Sequence, residues 1–397
     1  MFNSLEPSRP DAILALMQTF RADTREGKVD LGVGVYKNAD GATPVLRAVQ
    51  RAEQRLLETQ TTKSYVSPVG LESFRDAMCR QVFGSDADLS RIRCAQAVGG
   101  SGALRILGDL LRRSHPGAGL HLSDPTWPNH VPLLKSCGFT LHDYPYYDRN
   151  SGQVAIVALL DALRAMPQGD IVVLHGCCHN PTGADLTLQQ WRAVLDVVME
   201  RSLFPFMDLA YQGFGAGLEE DAAAVRLFAD HVPEMAVAAS CSKNFGLYRE
   251  RVGAALLLAQ DAPQADLAFG QLGTLVRSNY SMPPDHGARS TDIVLSDPDL
   301  SEDWKAELES MRQRMMSLRQ RFADGLRQRS NSPRFDAVAG QCGMFSLLPL
   351  TPAHIETLRE RHGIYLVGSG RINVAGLPDD EAGMAALCEA IVAVGSA

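Results

Sequence analysis

Lys243 sits in Ser240-Cys241-Ser242-Lys243-Asn244-Phe245-Gly246, just after the short apolar run Met235-Ala236-Val237-Ala238-Ala239. That run reads as a buried strand, which places the lysine at a strand's mouth. Desolvation there disfavours the ammonium form, depresses the pKa and makes the amine a usable nucleophile. Ser240 and Ser242 precede it by three and one residues, and Arg251 follows eight residues later. Hydroxyls and a guanidinium in that arrangement suit a phosphate dianion. A Schiff-base lysine beside a phosphate cup is what pyridoxal 5'-phosphate requires.

Other segments admit both a chemical and a structural reading. Asp208 opens Asp208-Leu209-Ala210-Tyr211-Gln212-Gly213-Phe214. Its carboxylate can pair with a protonated pyridine nitrogen, with Tyr211 reaching the ring's phenolic oxygen; the alternative is an aspartate capping a turn. Gly99-Gly100-Ser101-Gly102 leads into an apolar helix and offers backbone N-H groups and a hydroxyl to an anion. Glycine turns are common, however, and neither the dinucleotide spacing nor the Walker lysine is present. Trp127, in Asp124-Pro125-Thr126-Trp127-Pro128, can stack on a planar cofactor or simply pack a loop. Arg371 and Arg277 can each clamp a carboxylate or serve a structural ion pair.

His175-Gly176-Cys177-Cys178-His179-Asn180-Pro181-Thr182-Gly183 invites a metal reading. Strand alternation would send Cys177 and Cys178 to opposite faces, and no second Cys/His cluster has zinc-site spacing, so no metal is expected. Asn180-Pro181-Thr182-Gly183 reads instead as a tight turn presenting an amide to a ligand.

These groups need a scaffold, and the middle of the chain alternates helix-like and strand-like stretches, the pattern of an α/β fold with a mostly parallel sheet. Strands are expected at 119–122, 171–175, 203–207 and 235–239, each ending where a polar residue begins: Asp124, His179-Asn180, Asp208 and Lys243. Ligands of open α/β sheets bind at the carboxyl ends of strands, so the four clusters imply one shared site. A long helix is expected over 301–328, then strands at 344–348 and 364–367 and a closing helix from Asp379, the texture of a smaller α+β domain. With 397 residues, the chain is large enough for two or more domains.

The net charge of -8 with no Lys/Arg tract argues against nucleic acid or anionic membrane as a partner. Met1-Phe2-Asn3-Ser4-Leu5-Glu6 has no leader-like pattern, and the apolar run 252–259 is far too short to span a membrane. Eight scattered cysteines suit reduced thiols in a cytosol.

Taken in order, Asn180-Pro181-Thr182-Gly183, the segment from Asp208 to Phe214 and Ser242-Lys243-Asn244-Phe245-Gly246-Leu247-Tyr248 resemble the class I, fold-type I aminotransferases, in their aspartate and aromatic-amino-acid subgroup. The likeness runs from Phe2 to the closing helix. It implies a large cofactor domain over 44–305 and a small mobile domain from both chain ends, 1–43 and 306–397. By this resemblance Lys243 carries pyridoxal phosphate, Asp208 pairs with its ring nitrogen, and Tyr211 and Asn180 contact the ring oxygen. Trp127 stacks on the ring, and His130 supports Asp208. Gly100, Ser101, Ser240, Ser242 and Arg251 hold the phosphate, helped by Tyr65 of a second subunit. Gly34 lies beside the substrate and Arg371 takes its α-carboxylate. Arg277, again from the second subunit of a homodimer, receives a distal carboxylate. The reaction implied is ping-pong transfer of an amino group from aromatic amino acids or aspartate to 2-oxoglutarate.

Donor choice is divided between the two subtypes. Val35, Lys37 and Thr43 resemble aspartate-preferring members, whereas Ser101 and the segments 181–187 and 213–217 lean to the aromatic ones. Met282 departs from the Asn or Ser expected beside Arg277, and an apolar chain there would alter the distal pocket. A strictly aspartate-specific aminotransferase, a β-eliminating or decarboxylating lyase on the same cofactor, and a non-catalytic cofactor-binding regulator are the competing readings.

Overall fold

The computed structural model describes residues 2–4, 6 and 12–395. The expectation for the N-terminal arm therefore lies outside the described residues at 1, 5 and 7–11, as does part of the leader reading. A seven-stranded sheet forms the centre, from β1 (Ile92–Val98), β2 (Leu120–Asp124), β3 (Leu141–Pro145), β4 (Ile171–His175), β5 (Phe204–Leu209), β6 (Met235–Ser240) and β7 (Val252–Leu258). Across the sheet the order is β1-β7-β6-β5-β4-β2-β3, with β7 alone antiparallel to its neighbours. Strands β4, β6 and β7 are buried along their whole length, as continuous apolar runs covered by helices on both faces must be.

The expected strands are all present, and their bounds shift in an informative way. Asp208 lies inside β5 rather than just beyond it, paired in register with His175 of β4 and Ala238 of β6. It is therefore held by the sheet ladder instead of capping a turn. Strands β1, β3 and β7 escaped the sequence reading, which takes the apolar run 252–259 only as too short for a membrane span. Arg93 and Gln96 interrupt the apolar pattern of the first, and β3 is a mostly exposed edge whose His142 and Asp143 read as loop.

Helix α1 (Gly99–Ser114) follows β1 and packs over β6 and β7. The long helix α2 runs over Pro298–Ser330, longer at both ends than expected. Its start is set by Asp297, whose side chain accepts from the Leu300 N-H at 3.0 Å, with Pro298 in the first turn. Its end is set by Asn331 in the left-handed region, φ 47°. Beyond it, Phe345–Leu347 pairs antiparallel with Arg371–Asn373, and Val29–Asp30 pairs parallel with Ile364–Tyr365. The two ends of the chain thus meet in one small sheet, and the closing helix α3 (Glu381–Gly395) packs on α2. All eight cysteines are unpaired. Among the described residues, no helix is long and apolar enough to cross a membrane.

Helix α2 also braces the lysine loop. Trp304 is fully buried, stacks on Phe245 with ring centroids 4.3 Å apart, and donates its indole N-H to the Asn244 carbonyl at 2.7 Å. Trp304→Ala is expected to cost about 3–5 kcal/mol of stability in urea unfolding, through a cavity and an unpaired carbonyl next to Lys243.

Candidate active site

The carboxyl ends of β2, β4, β5 and β6 open onto a cavity of about 270 Å³. Twelve residues expected at the site line it: Gly34, Gly100, Ser101, Trp127, Asn180, Asp208, Tyr211, Ser240, Ser242, Lys243, Arg251 and Arg371. His130 stands one layer behind, its Nε2 3.1 Å from Asp208 Oδ2. Tyr65 is 91 % exposed, and neither it nor Arg277 reaches this cavity within one chain. Arg277 instead donates to the Ser281 hydroxyl. Lys37, paired with Asp30 at 3.0 Å, Thr43, which donates to the Tyr36 carbonyl at 2.9 Å, and Met282 also lie off the cavity wall.

At one end of the cavity the chain builds an anion cradle. Helix α1 begins without a side-chain cap, so its first-turn N-H groups beyond Gly99, whose own N-H donates to the Arg251 carbonyl, can meet a ligand, and Ser101, Ser240, Ser242 and Arg251 surround that end. Gly99 allows the close approach: a Cβ there would lie 2.5 Å from Arg251 Nη2, and its φ of 67° is one that only glycine adopts easily. Arg251 itself has a φ of 56° and donates to the Tyr248 carbonyl at 3.1 Å. A phosphate dianion fits this donor set.

In the middle, Lys243 Nζ lies 4.6 Å from the centroid of the Tyr211 ring. Burial, reinforced by the charge of Arg251 and opposed by that of Asp208, lowers the lysine pKa to about 8. Burial pushes the Asp208 carboxyl the other way. The hydrogen bond from His130, with the charges of His130 and Lys243, outweighs it and leaves that pKa below the usual carboxylate value. An ionised Asp208 aimed into the cavity is the partner a protonated pyridine nitrogen needs. Thr126 ties His130 to His175 through its hydroxyl, at 2.9 and 3.2 Å. Burial, with the charge of His130, drives the His175 pKa to about 3, so it is neutral at pH 7.

At the far end, Arg371 is buried and reaches Asn180 Oδ1 at 3.4 Å and the Gly32 carbonyl at 2.8 Å. Its guanidinium stacks on Phe345, 4.3 Å from the ring centroid, and its Nε has no partner. A buried guanidinium with an orphaned nitrogen calls for an anion. Asn180 Nδ2 in turn donates to the Tyr211 hydroxyl at 3.4 Å, so the carboxylate and ring-oxygen contacts are mechanically joined.

Five lining residues were not foreseen: Ile13, Leu104, Ala210, Tyr248 and Phe345. Ala210 and Tyr248 lie within recognised motifs and Leu104 just after the glycine turn, which could have suggested them. Ile13 and Phe345 look like ordinary helix and strand core residues in the sequence. One expectation fails outright. Strand β4 ends at His175 and Cys178 turns to a φ of 51°, so Cys177 and Cys178 do not diverge; both approach the Asp221 carboxylate, all three ligand atoms within 4.8 Å.

Residues 26–391 match the family model "Aminotransferase class I and II". The chain is 49 % identical over 395 residues to the aromatic-amino-acid aminotransferase of Paracoccus denitrificans, covering 100 % of both. It is 46 % identical to the aspartate aminotransferase of Salmonella typhi, covering 99 % of this chain and 100 % of that one. The crystal structure of the Burkholderia pseudomallei aromatic-amino-acid aminotransferase, covalently bound to pyridoxal phosphate, superposes with a TM-score of 0.96 at 43 % identity over 99 % of each chain.

The opposing charges on Lys243 can be separated by titration. In cofactor-free protein, its reaction with an amine-selective acylating reagent is expected to show a midpoint near 8. Asp208→Asn removes the charge that raises this pKa, so the midpoint should fall; an unchanged or higher midpoint contradicts the assignment.

Proposed function

The chain belongs to the class I and II aminotransferases, a pyridoxal-phosphate family, and from that premise we propose that Lys243, Asp208 and Arg371 are its catalytic and binding centre. The reaction is ping-pong transfer of an amino group from an aromatic amino acid or aspartate to 2-oxoglutarate. The observation that carries the site assignment is the convergence of a depressed amine, an ionised carboxylate and an orphaned guanidinium on one cavity with an anion cradle at its end.

The bound cofactor supplies an electron sink for the charge left when the substrate Cα–H bond breaks. Asp208 keeps a proton on the ring nitrogen, and His130 keeps Asp208 aligned and charged. Tyr211 and Asn180 on the cavity wall would donate to the ring oxygen, and Trp127 would pack against the ring. Arg371 grips the α-carboxylate and Lys243, its pKa lowered to about 8 so that a substantial fraction is neutral there, takes the Cα proton and later returns it. Holding the α-carboxylate orients the Cα–H bond for cleavage and favours transamination over loss of that carboxylate.

Tyr65 and Arg277 lie on the surface of one chain, and we assign them to the cavity of a second copy in a homodimer, Tyr65 at the phosphate and Arg277 at a distal carboxylate. The eight free thiols support a reducing, cytoplasmic setting. Apolar Ile13 and Leu104 on the cavity wall support acceptance of aromatic side chains.

Initial rates with aspartate, tyrosine, phenylalanine and tryptophan, each with 2-oxoglutarate, test the donor range. Both classes should turn over. Arg277→Ala should lower kcat/KM for aspartate by about tenfold or more, as loss of a charge-assisted contact implies, while sparing phenylalanine. Failure of every aromatic donor contradicts the dual assignment.

A further inference from the structure

Behind the loop that presents Asn180 lies a separate cavity of about 410 Å³, lined among others by Cys177, Asp185, Asp221, Arg312, Met316 and Cys342. At its edge two distant segments bring Asp185 and Cys342, which line it, together with Cys178 just behind, one ligand atom of each within 4.8 Å of the others. Cys342 Sγ donates to Asp185 Oδ2 at 3.1 Å, and Asp185 also accepts the N-H groups of Cys178 at 2.5 Å and His179 at 2.7 Å. The carboxylate is thereby fixed. The thiols are fixed as well, since Gly343 packs so tightly that a Cβ would lie 2.5 Å from Cys178 Cβ. Cys178 is buried, whereas Cys342 and Asp185 are half-buried and face the cavity.

We propose that Cys178, Cys342 and Asp185 form a binding site for a thiophilic divalent cation such as Zn²⁺ or Cd²⁺, with a fourth position open to water from the cavity. Two sulfurs and one carboxylate oxygen are a donor set that suits such ions. Zn–S bonds of about 2.3 Å place tetrahedral ligands about 3.8 Å apart, so the groups need to move little. Charge also balances. Two thiolates and a carboxylate offset the cation together with the buried Arg319, whose guanidinium donates to the Ser346 hydroxyl and to the carbonyls of Gly343 and Phe345. Thiols ligate as thiolates, so binding releases a proton from each thiol to solvent and tightens as pH rises. The ion would clamp the segment bearing Asn180 to the one bearing Phe345, both of which line the active site.

The test titrates reduced holoenzyme with Cd²⁺, reading the ultraviolet thiolate-to-metal band and thermal unfolding in the parent, in Cys342→Ser and in Cys137→Ser. Cys342 is half-buried, so serine is tolerated there, and Cys137 is remote from the cavity. One ion should bind per chain and raise Tm in the parent and in Cys137→Ser. Cys342→Ser should lose affinity by about tenfold or more, the loss expected when a metal contact is removed. No band in the parent, or an unchanged titration in Cys342→Ser, overturns the site and leaves the thiol–carboxylate contact as a purely structural one.

Discussion

The site depends on the cost of burying an ammonium group. Lys243 stands half-buried just beyond the end of β6, with the charges of Arg251 and Asp208 acting on it in opposite directions. Burial and Arg251 discharge it; Asp208 keeps it from being discharged too far. The balance leaves an amine that can gain or lose a proton near neutral pH, which proton-transfer chemistry demands. Most other features of the fold serve to hold those charges at that separation.

The sheet does most of the holding. Parallel register sets Asp208 beside His175 and Ala238, so the ladders fix its backbone while the hydrogen bond to His130 aligns its carboxylate. Antiparallel β7 carries Arg251 back to the start of α1, where the Gly99 N-H donates to the Arg251 carbonyl at 2.9 Å. One turn of chain therefore places the guanidinium and the uncapped helix end around the same anion. From the other side, the long helix braces the lysine loop through Trp304, and a small antiparallel sheet in the C-terminal part delivers Arg371 and Phe345. No single element contains the site; it exists where several meet.

That explains what was legible in the sequence. Lys243, Asp208, Asn180 and the glycine turn at 99–102 were readable because each combines a chemically distinctive side chain with a strand end or turn, a local pattern. The strands β4 and β6 were readable because fully buried strands are continuously apolar. Edge strand β3 was not, since a half-exposed strand carries no such signature, and in the largely buried β1 the polar Arg93 and Gln96 break the apolar run. Ile13 and Phe345 could not be singled out, because an apolar residue facing a cavity looks like one facing the core. The thiol cluster was misread for a related reason: strand alternation was extended past His175, where the backbone leaves the strand, and Cys342 lies 157 residues from Asp185.

The central claim is that one particular amine carries the cofactor. Borohydride reduction of the holoenzyme, followed by peptide mapping, reads this directly. The account predicts phosphopyridoxyl label on the peptide containing Lys243, lost in Lys243→Ala. Label on any other lysine, or full turnover in Lys243→Ala, contradicts it.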